Sequence, residues 1–218
     1  MIRVRRWVFL AGLAVALPAC KKQSELTTGS GVGATKARPI GAFSSVRVSS
    51  GLQVDVSVGK SEPLEISGDD NLLEHVSARV ENGTLLLDTD KKLKRKQPLK
   101  VRVGTEKLEA IRLGYSADAK VRGVSADAFR IELAGGSSLV VQGSCQRLEV
   151  ITRTAAKADL SGFSAAKAAV TSADTSSVVL GHLEELTVTQ SGLSRVTYRG
   201  DPKLTQNVTK PARLLHVE

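Results

Sequence analysis

Aromatic side chains are scarce in this sequence, where Phe, Trp and Tyr make up 3% of the 218 residues. Two of the seven, Trp7 and Phe9, lie near the N-terminus. Any core must therefore be built from Val, Leu, Ile and Ala. This composition excludes a large globular centre packed around aromatic rings and favours a narrow, aliphatic interior.

Residues that could form a catalytic or metal centre are also few and scattered. The three histidines, His75, His182 and His216, show no zinc-ligand spacing such as H-x-x-x-H. Gly135 to Ser138 reads GGSS, which lacks the G-x-S-x-G spacing of a nucleophile elbow. No glycine-rich phosphate loop occurs. The sequence therefore predicts no catalytic residue, no metal site and no cofactor, so we expect a protein that is not an enzyme.

The N-terminus divides into a charged stretch, an apolar run and a cysteine. Met1 to Arg6 is positively charged, and Trp7 to Ala19 is an apolar run of 13 residues. A membrane span needs about 20 residues, so this run suits a signal peptide instead. The run ends in Leu-Pro-Ala followed by Cys20, which resembles the lipobox of bacterial lipoproteins.

That resemblance implies cleavage between Ala19 and Cys20 and acylation of Cys20 with palmitate-type chains, so that membrane lipid is a partner. Two chains give stable anchoring. Lys21 at the next position implies the outer membrane. The alternative is a secretory leader in which the cysteine is incidental.

A thioether at Cys20 would leave Cys145 without a disulfide partner. Cys145 is then expected to be a small buried hydrophobic residue and not a reactive thiol. The formal net charge of +9 falls to +6 when Arg3, Arg5 and Arg6 leave with residues 1–19. A mildly basic exported domain is compatible with an anionic partner and equally with simple solubility.

Residues 20–38 lack hydrophobic periodicity and are rich in Gly, Ser, Thr and Lys, so they are predicted to be a flexible tether. Residues 39–105 show period-2 alternation, as in Leu52-x-Val54-x-Val56, which predicts a β-rich N-terminal lobe. Asn82-Gly83 predicts a tight hairpin turn. The run KKLKRK at residues 91–96 is interpreted as a solvated loop. It lacks the aromatic side chains of a nucleic-acid site, so we expect no nucleic acid as a partner.

Residues 69–75 carry the one helical signal in this lobe. Asp69, Asp70, Glu74 and His75 could form a small divalent site. A turn followed by a short helix capped by Asp70 or Asn71 explains the same residues, and we favour it.

The second half contains an internal repeat marked by glycines 20, 19, 19 and 19 residues apart: Gly123, Gly143, Gly162, Gly181 and Gly200. An apolar or aromatic residue precedes each glycine by two positions: Val121, Val141, Leu160, Leu180 and Tyr198. Twelve positions before each glycine lies a further apolar residue. In the fourth repeat this residue is Ala169, and a one-residue slip would bring the neighbouring Val170 inward instead. A unit of this length cannot bury its own apolar face, whereas stacked copies can. The glycines would supply unusual backbone angles at sharp corners.

The predicted fold is therefore all-β: a β-solenoid, resembling a parallel β-helix, with rungs of about 19–20 residues. Its rungs and a C-terminal cap would occupy residues 106–218. Leucine-rich repeats need a Leu and Asn ladder that is absent, and helical repeats need about 33 residues.

The chain from Pro39 onwards resembles the head GIN domain family of auto-transporter adhesin head domains. The resemblance rests on F-x-x-V-x-V from Phe43, on Glu81-Asn82-Gly83-Thr84 and on Tyr198-Arg199-Gly200-Asp201-Pro202. Family members usually repeat a Ser-Gly-x-Gly-Asp turn, which here has decayed, for example to Ala155-Ala156-Lys157. The family implies a β-solenoid and leaves the function open.

The sequence thus predicts a lipid-anchored cell-envelope protein with a non-enzymatic, adhesin-like binding role, and with a polysaccharide or protein as ligand. One alternative is a periplasmic structural or signalling partner. Another is a polysaccharide-active β-helix enzyme, which requires two positioned carboxylates. Asp118, Asp159 and Asp174 do not share one offset from the repeat glycines, so they are not expected to form an acidic column.

Overall fold

The computed structural model describes residues 26–217. The predicted signal peptide, the cleavage site between Ala19 and Cys20 and the lipid on Cys20 lie outside the described residues. Between residues 26 and 217 no helix has the length and apolar character needed to span a bilayer.

The chain forms strands almost throughout, which confirms the all-β prediction. The first strands are β1 Leu26–Thr28, β2 Gly33–Arg38, β3 Ser45–Val48, β4 Gln53–Val58, β5 Glu62–Asp69, β6 Val76–Glu81, β7 Thr84–Thr89, β8 Lys92–Lys94 and β9 Lys100–Thr105. The later strands are β10 Ala110–Leu113, β11 Asp118–Leu133, β12 Ser138–Thr152, β13 Lys157–Ser172, β14 Ser177–Leu180, β15 Leu183–Gln190, β16 Arg195–Arg199, β17 Lys203–Val208 and β18 Arg213–Val217. A short 3-10 helix, Asp70–His75, follows β5.

The strands build a β-solenoid of about five turns with a spacing near 20 residues, as predicted. Each long strand starts in one parallel sheet, bends at a corner and continues in a second. The back sheet contains β9, β4, the first halves of β11, β12 and β13, and then β14, β16 and β18. The front sheet contains β7, β3, β10, the second halves of β11, β12 and β13, and then β15 and β17.

The core lies between the two sheets and is made of inward columns of like residues. Val121 pairs with Val141, and Leu160 pairs with Leu180; all four side chains are buried. Alternation places every second residue inside, and the repeat places it above its equivalent in the next rung. Each buried Val or Leu contributes about 1.5–3 kcal/mol, so the stack is held together mainly by aliphatic burial.

The one-residue slip at Ala169 is confirmed. Val170, not Ala169, is buried, and it pairs with Val150 on one side and Val188 on the other.

The corner glycines fulfil their predicted role only in part. Gly123, Gly143 and Gly200 have φ values of 79°, 138° and 73°, which favour glycine. Gly162 and Gly181 do not lie in that region. At Gly181 the reason for glycine is space, because a Cβ atom there would lie 2.3 Å from the carbonyl oxygen of Phe163.

The N-terminal lobe is not a separate stack, since no break in the sheets occurs at the predicted boundary near residue 105. β3 pairs with both β7 and β10, and β4 pairs with both β9 and β11. The rung made of β3 and β4 is thus inserted between strands that come later in the chain. Antiparallel strands close this end, with β6 on β7, β5 on β9 and β2 on β5.

The prediction of a flexible tether is wrong for residues 26–38. β2 pairs antiparallel with β5 along its whole length, and β1 pairs parallel with β8. The predicted solvated loop at residues 91–96 also contains a strand, β8, which spans Lys92–Lys94. β2 is an edge strand with mostly exposed side chains, so it lacks the apolar alternation that would have revealed it.

The hairpin at Asn82-Gly83 and the short helix after β5 are both confirmed. The predicted cap at Asp70 or Asn71 is wrong: both residues lie inside the helix, the residue before it is Asp69, and the Asp69 side chain does not cap it. Cys145 is a free and buried cysteine, as expected. Burial raises the pKa of its thiol to about 11, against the weaker opposite effect of the Phe129 backbone N–H.

Candidate functional site

Three connected depressions follow the outer surface of the front sheet. The largest, which we call the front groove, has a volume of about 1070 Å³ and is lined by residues of β11, β12, β13 and β15 together with Lys107 and Glu109. A smaller depression of about 350 Å³ shares Arg130 with it. The third, of about 210 Å³, shares Arg47, Arg112 and Glu132 with the second.

Strand register turns the outward residues of the front groove into columns. One column contains Ala128, Arg147, Lys167 and Glu185. The next contains Arg130, Glu149, Ala169 and Thr187. Parallel strands are spaced about 4.8 Å apart, so the groove extends along the solenoid axis over several rungs. Its shape suits an extended ligand better than a compact one.

Ion pairs lie along the groove, some within one segment and some between rungs. Lys107 Nζ lies 3.0 Å from Glu109 Oε1, and Lys167 Nζ lies 3.2 Å from Glu185 Oε2. Arg130 bridges two rungs, because its guanidinium contacts both Glu132 and Glu149. These pairs are partly exposed, so each contributes little to stability.

Basic neighbours lower the pKa of two carboxylates on this surface, Glu109 and Glu132. The hydrogen bond from Lys107 lowers the pKa of Glu109 despite some desolvation. The guanidinium of Arg112, 2.6 Å away, lowers the pKa of Glu132, and Arg130 adds to the effect. Hydrogen bonding to Glu132 in turn raises the pKa of Arg130. The surface therefore carries fixed charges of both signs near neutral pH.

Cys145 borders the front groove but is 7% exposed. Behind it the rings of Phe129 and Phe163 pack with centroids 5.8 Å apart. A thiol with a raised pKa is protonated near neutral pH, and the thiol form is a poor nucleophile. Cys145 therefore serves as part of the groove floor.

The acidic residues considered from the sequence do not converge on this groove. Asp118 and Asp159 project from the back sheet, where their register partners include Ser138 and Val140. Asp174 lies in a turn and accepts a 3.0 Å hydrogen bond from the Thr154 backbone N–H. The predicted lack of a stacked acidic column agrees with these positions.

The Asp69 to His75 segment is likewise structural. The Asp69 carboxylate is buried and accepts backbone N–H groups from Gly31, Lys96 and Gln97. His75 Nδ1 lies 3.1 Å from Asp90 Oδ1. Among residues 26–217 no three His, Cys, Asp or Glu side chains cluster in a way that could hold a metal ion.

Sequence reasoning missed the residues that line the three depressions, above all Arg47, Arg112, Arg130 and Arg147. Each occupies an outward position of a strand that was itself predicted. Their grouping depends on the register between rungs, including the insertion of β3 between β7 and β10. No local motif carries that information.

A family model described as "Putative auto-transporter adhesin, head GIN domain" matches residues 42–202. No curated protein matches the chain. Among the solved structures that share its fold, three are 15–18% identical to it.

The first is a putative adhesin from Bacteroides fragilis NCTC 9343, with a TM-score of 0.72, 18% identity and coverage of 87% of this chain and 98% of that one. The second is a putative adhesin from Parabacteroides merdae ATCC 43184, with a TM-score of 0.59, 15% identity and coverage of 88% and 99%. The third is a putative lipid binding protein from Parabacteroides distasonis ATCC 8503, with a TM-score of 0.53, 17% identity and coverage of 89% and 100%. At these identities the likeness establishes the fold alone.

Proposed function

Since this chain belongs to the head GIN domain family of auto-transporter adhesins, we propose that it is a non-enzymatic binding protein of the cell envelope. In this proposal the β-solenoid holds an extended polymer, such as a polysaccharide, along the front groove. The observation that carries the proposal is the groove itself, about 1070 Å³ in volume and lined by residues of successive rungs.

The ion pairs in the groove support binding over hydrolysis. A glycosidase needs a carboxylic acid that stays protonated, and therefore a raised pKa. The pKa of Glu109 is instead lowered, because Lys107 donates a hydrogen bond to its carboxylate. Such pairs are suited to exchanging partners with the polar groups of a ligand.

The test measures the electrophoretic mobility of the full chain, in detergent, in gels cast with polysaccharides of different charge. A polysaccharide that binds the protein retards it. Ala128→Trp places a large side chain in the groove, and we expect it to abolish retardation by any polysaccharide that retards the wild type. Val140→Trp, on the outer surface of the back sheet, is the matched control. Equal retardation of both variants would refute the groove as the binding surface.

The proposed anchor is a diacylglycerol on Cys20, placed in the outer membrane on the basis of Lys21. Cys20→Ser should lose the diacylglycerol mass in an intact-mass spectrum and move the protein from the membrane fraction to the soluble fraction. An unchanged mass would refute the anchor and leave the groove proposal intact.

A further inference from the structure

The depression of about 210 Å³ lies beside the turns that connect the front sheet to the back sheet. Backbone hydrogen bonds place Gly114, Ala134 and Arg153 in successive rungs. Gly114 and Ala134 have little or no side chain, so a space stays open between Tyr115 and Arg153. Arg47 lines the same space.

The charge around this depression is unbalanced. Among the described residues that line it, Glu132 is the one acid, and it is already bonded to Arg112 and Arg130. Arg47 and Arg153 form no salt bridge with any residue between 26 and 217. Arg47 also stands directly beside Arg112 in the sheet, where two like charges repel. An anion at this place would offset that repulsion.

Tyr115 is unusual in its exposure. Its side chain is 73% exposed, whereas Phe43, Phe129 and Phe163 are buried. Its φ is 53°, and Gly135 occupies the same position in the next rung with a φ of 62°. A side chain in the left-handed region costs free energy that glycine avoids. Ser116, Thr154, Ala155 and Asp174 in the turns of these rungs also have a positive φ, so this backbone belongs to the turn and it is the exposed ring that sets Tyr115 apart.

We propose that this depression is a subsite for an acidic oligosaccharide, with the guanidinium groups of Arg47 and Arg153, which lie three rungs apart, on separate anionic groups and the ring of Tyr115 against a sugar. Guanidinium forks match the geometry of carboxylate and phosphate oxygens. The proposal deepens the proposed function, on which it rests, by assigning the chemical class of the polymer.

A sugar fits this place better than a peptide strand. The strands that carry Arg47, Arg112 and Glu132 are internal, since β3, β10 and β11 each pair with neighbours on both sides. An extended peptide would therefore find no unpaired strand edge with which to form backbone hydrogen bonds. A sugar needs none, because its hydroxyl groups bond to side chains and water.

The test is calorimetric titration of the full chain, in detergent, with three trisaccharide probes. Trigalacturonate carries carboxylates, its methyl ester is the neutral match, and a sulfated trisaccharide tests a different anion. We expect trigalacturonate or the sulfated sugar to bind and the methyl ester to bind at least about tenfold more weakly. Which anionic probe binds more tightly identifies the anionic group.

Three variants locate the site. Arg47→Gln and Arg153→Gln should each raise the dissociation constant about tenfold or more, since each removes a charge-assisted hydrogen bond. Arg195→Gln, which removes the same charge from the back sheet, should leave it unchanged. Tyr115→Gly should weaken binding while the melting temperature stays the same or rises, because glycine suits the left-handed backbone.

Four results would overturn the subsite. The first is that no acidic sugar binds at about millimolar concentration, which is weak even for small ligands, and the second is that the neutral ester binds equally well. The third is that Arg47→Gln and Arg195→Gln have equal effects, and the fourth is that poly-glutamate, an acidic peptide, binds more tightly than the sugars. These results are separable from failure of the groove. If Ala128→Trp blocks a polysaccharide that the arginine variants still bind, the groove stands and the acidic-sugar subsite is wrong.

Discussion

The backbone N–H of Lys96 donates a 2.9 Å hydrogen bond to the buried carboxylate of Asp69. Gln97 and Gly31 donate to the same carboxylate, at 3.1 and 2.8 Å. One side chain therefore ties the segment after β1 and the basic segment before β9 to the end of β5. Backbone N–H groups in these irregular segments gain a partner that no strand supplies.

This arrangement predicts a specific acid sensitivity. Burial alone raises the pKa of Asp69, but the three N–H groups and the charge of Lys96 outweigh it and hold the pKa below the ordinary 3.8. A lowered pKa stabilises the fold above the ordinary value, and this stabilisation is lost as the pH falls through the lower, folded value. Asp69→Asn should therefore reduce the melting temperature at pH 7, and the difference from wild type should shrink below pH 3.8.

Thermal melts from pH 7 down to pH 2 measure that difference. Asp118→Asn, an exposed carboxylate in β11, is the control and should follow the wild type throughout. A gap between Asp69→Asn and wild type that stays constant at every pH would show that the carboxylate charge is not what stabilises the native state.

The inward column of the back sheet predicts the effect of a buried charge. Leu160 is 1% exposed and pairs with Leu180. Leu160→Asp places a carboxylate without a partner in an aliphatic stack, at a cost of several kcal/mol. We expect this variant to fail to fold, as judged by insoluble expression or by loss of the β-sheet signal in circular dichroism. Lys157→Asp introduces the same residue at an exposed position of the same strand and should fold; a well-ordered Leu160→Asp would contradict the rung assignment.

The Leu160 column was predictable from the sequence because alternation and a fixed repeat both act locally. The two smaller depressions were not, because Arg47 and Arg112, which line both, are far apart in the chain and become neighbours only through the inserted rung of β3 and β4. Asp69 illustrates a third case. Its position before a short helix was recognisable, but its partners come from segments that the sequence assigns to a tether and a loop.

The corner glycines predict two different responses to alanine. At Gly181 an added Cβ would lie 2.3 Å from the carbonyl oxygen of Phe163 and 2.8 Å from that of Leu160. Both contacts are with backbone, so the rungs would have to separate. We expect Gly181→Ala to reduce the free energy of unfolding by about 3 kcal/mol, which denaturant titration would measure.

Gly162→Ala is the matched control at the preceding corner. Its Cβ would meet Gln142 Cγ at 3.3 Å, an atom of a flexible side chain, and its φ is not left-handed. The cost should stay within about 0.5 kcal/mol. Equal costs for the two substitutions would mean that the close approach at Gly181 is not what requires glycine.

A buried cluster of hydroxyl groups predicts non-additive energetics. Thr152 Oγ1 lies 3.0 Å from Ser172 Oγ and 3.1 Å from Ser176 Oγ, and the two serine oxygens are 2.9 Å apart, so the three hydroxyls form a ring of hydrogen bonds. All three residues are at most 1% exposed. They occupy inward positions where the sequence pattern favours apolar residues, and they satisfy one another across adjacent rungs. Removing one hydroxyl should therefore leave the other two without a hydrogen-bond partner at a buried position that water does not reach.

Ser176→Ala alone should cost about 1–3 kcal/mol of unfolding free energy, since it deprives two buried hydroxyls of a partner. The triple variant Thr152→Val, Ser172→Ala and Ser176→Ala removes the whole polar cluster and should cost less than the sum of the three single variants, by about 1 kcal/mol or more. Denaturant titration of the four variants measures this difference. Costs that simply add would mean that each hydroxyl is satisfied independently, for example by the carbonyl oxygens of Thr152 and Ala173 that Ser176 also contacts.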